Sequence, residues 1–315
     1  MADLLDSVIG AFHFIADMPP RNVPLVNPKP RHANPWHRNG QVLVSKVAAS
    51  ADVKVSIEKS LALLGSLGQA IGKGDNVLVK PNYNSPDLLP AATDPAFLRA
   101  VVQILLEAGA KVTVGESSGG LWRPTRKVFR KLGIFELAHD LGVDLVAFED
   151  KPRDWVRVKT DGDYLKTIFM PRSAYEADKI VYLPCMKTHN LGGFSGALKL
   201  AMGFVHPGQR RVFHAGNLGQ KVAEISLCWQ PDLIIMDGRK AFVSGGPNKG
   251  KLADPEPGLI FASGDLVAID VEGMKTILGY KAKNKLPSNP WQSAQIITAL
   301  KHKLGVGQGG YVVVG

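Results

Sequence analysis

From Gln41 onward, short apolar runs alternate with longer stretches of helical periodicity, and this rhythm constrains the fold more than any other feature of the chain. Val42 to Val47 reads as a strand, Val55 to Leu67 as an amphipathic helix, Asn76 to Val79 as a strand and Pro95 to Glu107 as a helix. Lys111 to Val114 then reads as a strand, Thr125 to Leu141 as one or two helices broken near Gly133, and Val143 to Phe148 as a strand. Short apolar strands separated by helices call for a parallel sheet covered on both faces. Asp94 before Pro95 suits a helix start, with a carboxylate cap and proline at the first helical position.

The middle of the chain departs from the rhythm. Trp155 to Val158 and Leu165 to Met170 flank Thr160-Asp161-Gly162-Asp163, and an Asp-Gly step between alternating apolar segments signals a hairpin. The rhythm resumes with a strand over Lys179 to Leu183, a helix near Ser195 to Met202, a helix over Gly219 to Cys228 and a strand over Leu233 to Met236. Ala241 to Ser244 and Leu259 to Ala262 bracket a Gly/Pro-rich loop, and Leu266 to Leu278 reads as a helix. The expected fold is α/β, a doubly wound and mainly parallel sheet with an inserted β-hairpin region and an N-terminal helical arm. Residues 1–40 form the arm, and residues 41–315 form an α/β domain of one or two lobes. A chain of 315 residues with 45% hydrophobic content can bury the core that such a fold needs.

Leu4, Leu5, Val8, Ile9, Phe12 and Ile15 fall on one helical face, which predicts an amphipathic helix at the start of the arm. Asp3 and Asp6 stand where a signal peptide would carry Lys or Arg, and no segment reaches the length of a membrane span. A cytoplasmic protein is expected. Prolines at 19, 20, 24, 28, 30 and 35 forbid a regular helix and predict an extended linker. This arm is the expected route to a homo-oligomer or a protein partner. The formal charge of +10 favours anionic partners, yet no stretch interleaves basic and aromatic residues as nucleic-acid modules do. A small phosphate or carboxylate ligand fits better than nucleic acid.

Four predicted strands run directly into polar clusters: Asn76 to Val79 into Lys80-Pro81-Asn82, Lys111 to Val114 into Gly115-Glu116-Ser117, Lys179 to Leu183 into Lys187-Thr188-His189, and Leu233 to Met236 into Asp237. Packing alone asks for no charge there, and ligands of open α/β sheets sit outside the carboxyl ends of the strands. After Lys-Thr-His, the turn holding Gly192, Gly193 and Ser195 is expected to open a helix carrying Lys199. Backbone N–H groups and a helix start would there face an anion. His206, Arg210, Arg211 and His214 read as a solvated basic loop, or as a lid over that anion. Lys80, Lys187 and Lys199 are candidates for charge neutralisation, Lys187 also for a catalytic role, with Asn82, Ser117, Thr188, Gly192, Gly193 and Ser195 as further binding groups. His189 is the candidate for proton transfer or metal ligation, and Glu116 for base duty. His189, Asp237 and Asp270 form a candidate ligand set for a divalent metal.

No P-loop motif is present, and the GxGxxG match at Gly305, Gly307 and Gly310 lacks the following helix that a nicotinamide or other dinucleotide needs. Cys185 and Cys228 stand apart with no CxxC pair, so an iron–sulfur cluster held by one chain is not expected.

VLVKPN at 77 to 82, Thr93-Asp94-Pro95, VTVGESSGG at 112 to 120, MKTH at 186 to 189, SGALKLAMG at 195 to 203, MDG at 236 to 238 and AID at 268 to 270 together resemble the domain of unknown function 362 family. The resemblance implies no reaction. Many relatives carry ferredoxin-like cysteine clusters, a pattern from which this chain departs. The residues therefore point to a metal-assisted enzyme acting on a small anionic substrate. A non-catalytic binding or assembly module and a redox protein are the alternatives.

Overall fold

The computed structural model describes Pro19, residues 22–118, 124–150 and 154–315, with the side chains of 211 and 212 left aside. The expected N-terminal helix, together with Arg21, Gly119 and Gly120, lies outside the described residues. In chain order the strands are β1 Leu25–Val26, β2 His37–Arg38, β3 Gln41–Ala48, β4 Asn76–Lys80, β5 Lys111–Glu116, β6 Asp144–Ala147, β7 Trp155–Lys159 and β8 Thr167–Pro171. They continue with β9 Lys179–Tyr182, β10 Cys185–His189, β11 Gly193–Ser195, β12 Leu233–Gly245, β13 Gly250–Leu252, β14 Leu259–Ser263 and β15 Tyr311–Val314.

Among the described residues, twelve strands form one mixed sheet with the path β15-β3-β14-β12-β9-β4-β5-β6. The run from β12 through β9, β4 and β5 to β6 is parallel throughout, while β14 is antiparallel to both β12 and β3. The chain steps outward from β4 to β5 to β6 and then returns to lay β9 on the other side of β4. This reversal makes the gap between β4 and β9 a topological switch point.

The apolar runs are continuous because both faces are covered. Val77, Val79, Val181, Leu183, Leu233 and Ile235 belong to one core, built with the helices Val53–Leu64, Pro95–Glu107 and Ile134–Leu141. The intervening Leu78, Ile180, Tyr182, Ile234 and Met236 belong to a second core, with the helices Leu218–Ile225 and Leu266–Leu278. Successive side chains of one strand therefore serve opposite layers, the signature of a doubly wound sheet. Crossovers leading outward to β6 pack on the first face, and those after the reversal pack on the second. Right-handed crossovers impose that swap when the direction of winding reverses.

The β7–β8 hairpin pairs antiparallel as expected, but its connection is longer than a two-residue Asp-Gly turn. Thr160 N donates to Lys166 O, and the loop wraps the buried Glu224 carboxylate, which accepts from the backbone of Asp163, Tyr164 and Leu165. A carboxylate from a distant helix adds to the loop's own hydrogen bonds. Trp155, Val158, Ile168 and Met170 join the second core, so the hairpin is part of the body.

The proline-rich segment is fastened to the body, contrary to the expectation of a linker. Leu25–Val26 pairs with β7, the Arg31 guanidinium donates to the carbonyls of Ser226 and Leu304, His32 Nε2 lies 3.1 Å from Asp232, and Trp36 is buried. Carbonyls and a carboxylate on the body satisfy the segment's donors, which composition alone does not reveal. The polar loop that separates the expected strands at Leu233 and Ala241 does not form either. β12 continues through Asp237 and Gly238 because β14 and then β10 and β13 supply its hydrogen bonds. Gly305 to Gly310 leads into edge strand β15, which the sequence pattern had not indicated.

The docked segment generates a prediction. Trp36→Ala should destabilise the protein by about 3 to 5 kcal/mol in urea unfolding, the usual cost of truncating a buried aromatic, whereas a solvated arm would give a change near zero.

Candidate functional site

Lys80 ends β4 and Glu116 ends β5, and parallel pairing of these neighbours brings the two side chains together at the carboxyl edge of the sheet. Lys80 Nζ stands 2.6 Å from Glu116 Oε1, with both side chains almost wholly buried. Lys80 Nζ also donates to Pro81 O at 2.8 Å. The Glu116 carboxylate accepts from Ser117 N at 2.7 Å and from Tyr83 N at 2.9 Å. Burial lowers the Lys80 amine, and the Glu116 charge opposes that shift. Gly203 allows the pair to exist, since a Cβ there would lie 2.5 Å from both Lys80 Nζ and Glu116 Oε1.

A cavity of about 30 Å³ opens beside this pair, lined by Lys80, Asn82, Glu116, Ser195, Lys199 and Gly203 among others. It sits at the carboxyl ends of β4 and β5, next to the switch point. Lys80, Asn82, Glu116, Ser195 and Lys199, five of the candidates read from sequence, thus share one cavity wall. Lys187, Thr188 and His189 lie behind Ser195 through β10–β11 pairing, in which Lys187 is opposite Ser195 and His189 opposite Gly193.

Local structure differs from expectation in this stretch. Lys187, Thr188 and His189 lie within strand β10, and Asn190 to Gly192 turns a β-hairpin. The pairing of β10 with β12 on one side and β11 on the other extends the backbone through residues that sequence reading assigns to a loop. The helix that follows is only Ala197–Leu200, and its first N–H groups are already engaged. Ala197 N donates to Asp270 Oδ1 at 2.6 Å and Leu198 N to Oδ2 at 3.0 Å. The Asp270 carboxyl occupies the place at the helix start that a ligand was expected to take. Gly192 and Gly193 line a separate groove of about 700 Å³ with Leu218 and Leu286.

The buried cations differ in what they touch. Lys187 Nζ donates to the carbonyl of Ala91, and burial lowers its pKa. Arg210 is buried on the helix Pro207–Phe213, where Nη1 donates to Ser117 O at 2.8 Å and Nε to Val205 O at 2.6 Å. Solvated-loop and lid readings of Arg210 are thus both replaced by a fixed guanidinium underneath the site. The sequence does not mark it, because the distant Ser117 carbonyl joins those of Val205 and Gly203 around its guanidinium. Lys199 is 8% exposed and makes no hydrogen bond or ion pair with any described residue. Burial, then the charges of Lys187 and Arg210, lower its amine to about 8.

His189 Nδ1 accepts from Leu191 N at 3.1 Å and Gly192 N at 3.0 Å, which leaves the proton of the neutral ring on Nε2. Burial first, then Lys199 and Lys187, bring its pKa down to about 3. Near neutral pH the ring is a hydrogen-bond donor and has no free lone pair for general base work.

The donors proposed for a metal do not gather. Asp237 is bound by Arg239 through Nη2 at 2.7 Å and Nε at 3.0 Å, and Arg239 reaches on to Asp94 at 3.1 Å. Asp270 caps the Ala197–Leu200 helix, and His189 spends Nδ1 on backbone. Among the described residues, the His/Cys/Asp/Glu side chains grouped closely enough to share an ion are Asp163, Glu224 and His302. That group surrounds the hairpin loop, away from the cavity. Cys185 and Cys228 are both buried, and burial pushes the Cys185 thiol up to about 11, the reverse of what a thiolate ligand requires.

Fold and site together define a doubly wound α/β protein with a polar, cation-rich cavity at the carboxyl edge of its sheet. The chain belongs to the family described as domain of unknown function (DUF362), whose model matches residues 77–275. It is 29% identical over 279 residues to the thylakoid-associated protein sll1697 of Synechocystis sp., with 83% of each chain covered. Among solved structures it is similar to the lactate racemase apoprotein from Thermoanaerobacterium thermosaccharolyticum, with a TM-score of 0.42 and 14% identity. That similarity covers 64% of this chain and 51% of the other, so the chain spans about half of that structure's length. No helix among the described residues is long and apolar enough to cross a membrane.

Two predictions test this geometry. Lys80→Met should cost about 3 to 5 kcal/mol in urea unfolding by leaving Glu116 buried and unpaired, and adding Glu116→Gln should recover part of that loss. Asp270 supplies a pH signature. Burial raises its carboxyl from 3.8 to about 7, against the two N–H donors. The folded chain then retains a proton that the unfolded chain releases, so ionisation weakens folding as pH rises from about 4 to about 7. The stability advantage of wild type over Asp270→Asn should shrink across that window by about 2 to 4 kcal/mol, followed by urea unfolding at several pH values.

Proposed function

We propose that this chain binds a small phosphate or carboxylate compound at the switch-point cavity and acts on it as an enzyme of an aqueous compartment such as the cytoplasm. One observation carries the reading: Lys80, Lys187, Lys199 and Arg210 are buried around a cavity where Glu116 is the facing carboxylate. Buried charge is costly unless compensated; Glu116 and Glu149 offset part of it, and a ligand anion would compensate Lys199, which no carboxylate among the described residues engages. Lys199 provides the amine that meets the anion. Lys80, already paired with Glu116, holds the wall, and Asn82 and Ser195 supply uncharged hydrogen-bonding groups. Lys187 and Arg210 contribute field from behind, without needing contact.

A second reading, a binding module without turnover, is favoured by the commitment of the acid–base groups. Both Glu116 oxygens accept hydrogen bonds, and His189 presents a proton at Nε2. Release of product from a bound anion separates the two readings. A divalent metal finds no ready set of donors at this cavity, so the reading does not depend on one.

Titration calorimetry with oxalate and sulfate, whose charges are constant between pH 6.5 and 9, tests the site. Affinity should be highest below pH 8 and fall as pH rises through about 8, where Lys199 loses its proton. Lys199→Met should lose about tenfold or more at pH 6.5, the scale of one charge-assisted contact. Absence of binding by either anion at pH 6.5 would overturn the reading.

A further inference from the structure

The three lysines of the site differ in what their amines already do. Lys80 is ion-paired with Glu116, and Lys187 donates to a backbone carbonyl. Lys199 is buried against the cavity wall with its nitrogen engaged by no described residue. A buried ammonium without an acceptor is costly, whereas a neutral amine in the same place is cheaper and keeps its lone pair. Desolvation and neighbouring cations activate lysine as a nucleophile toward carbonyl carbon. Lys187 and Arg210 are the cations that act on it here. With a pKa of about 8, about a quarter of the Lys199 amine is neutral at pH 7.5, against about a thousandth for an unperturbed lysine.

Other features fit that chemistry. Ser195 and Asn84 line the same cavity with side-chain polar atoms that no described residue engages, ready to bond a carbonyl oxygen or the hydroxyl derived from it. Gly192 passes near the lysine stem, where a Cβ would lie 3.8 Å from Lys199 Cδ. The cavity of about 30 Å³ is partly open to solvent, so it encloses the reacting end of a ligand and leaves the remainder outside.

We infer that Lys199 forms an imine with a small 2-oxo acid, its carboxylate held by the surrounding positive field. This rests on the anion-site reading and names the substrate class of that site. The neutral Nζ attacks the carbonyl carbon, a C–N bond forms, and the carbonyl π pair moves to oxygen, which takes up the proton released by nitrogen. The carbinolamine hydroxyl then takes one proton from solvent and leaves as water, and the nitrogen lone pair closes the C=N bond. The product is a protonated imine and one water, with no change of oxidation state.

The test incubates the full-length chain with limiting glyoxylate or pyruvate and sodium cyanoborohydride, which reduces the imine to a stable secondary amine. Intact-mass measurement and peptide mapping then locate the adduct. Lys199 should be modified at least about tenfold faster than any other lysine, excess oxalate should slow its modification, and Lys199→Arg should remove the fast phase while melting near wild type. Modification spread over surface lysines with Lys199 no faster would overturn the imine inference. Oxalate binding by calorimetry on unmodified protein is read separately: binding present with no fast lysine leaves the anion site standing and removes the imine. Binding absent removes both.

Discussion

The buried pair of Lys80 and Glu116 is the constraint on which the rest of the site depends. It joins the ends of two adjacent parallel strands, β4 and β5, next to the gap where the chain reverses its direction of winding. Burying both charges is costly, and the pair persists with further hydrogen bonds on each partner. Pro81 O takes a lysine proton, while Ser117 N and Tyr83 N feed the carboxylate. Those bonds fix the chain leaving β4 and the chain leaving β5, and thereby the cavity wall. Lys199 is then the amine left over, unsatisfied from within and exposed to whatever enters.

Much of the architecture was legible in the sequence because it follows from periodicity. The helix Pro95–Glu107 has the bounds expected from its proline and Asp94 cap, and Leu266–Leu278 is equally regular. The break at Gly133 follows from its left-handed conformation, with φ of 69°. Position in the sheet also carried part of the site, since Lys80 and Glu116 end strands that a parallel sheet must align. What the sequence did not reveal comes from long-range hydrogen bonding. β10 is a strand only because β12 and β11 pair with it, so Lys187-Thr188-His189 reads locally as a loop. Arg210 is buried only because the carbonyls of Ser117, Gly203 and Val205 converge on it.

The carboxylates illustrate how residue type misleads when geometry is missing. Asp237 and Asp270 are oxygen donors near strand or helix ends, as metal ligands are, and both belong instead to the scaffold. Asp270 reaches from the helix Leu266–Leu278 to cap the short helix that carries Lys199, while Asp237 holds Arg239 against the N-terminus of Pro95–Glu107. Each ties a distant helix to the carboxyl edge of the sheet, fixing the backbone from which the cavity is built. The proline-rich segment has an analogous part on the outside, with Asp232 accepting from His32, Lys179 and the backbone of Ile180.

Gly203 bears on how other chains of this family can be read. A methyl group there would have to displace a lysine nitrogen and a carboxylate oxygen, which hold the space it would occupy. A relative with a larger residue at this position must also have replaced or redirected Lys80 or Glu116. The smallest residue in the site therefore serves as a sequence marker for the buried ion pair of Lys80 and Glu116.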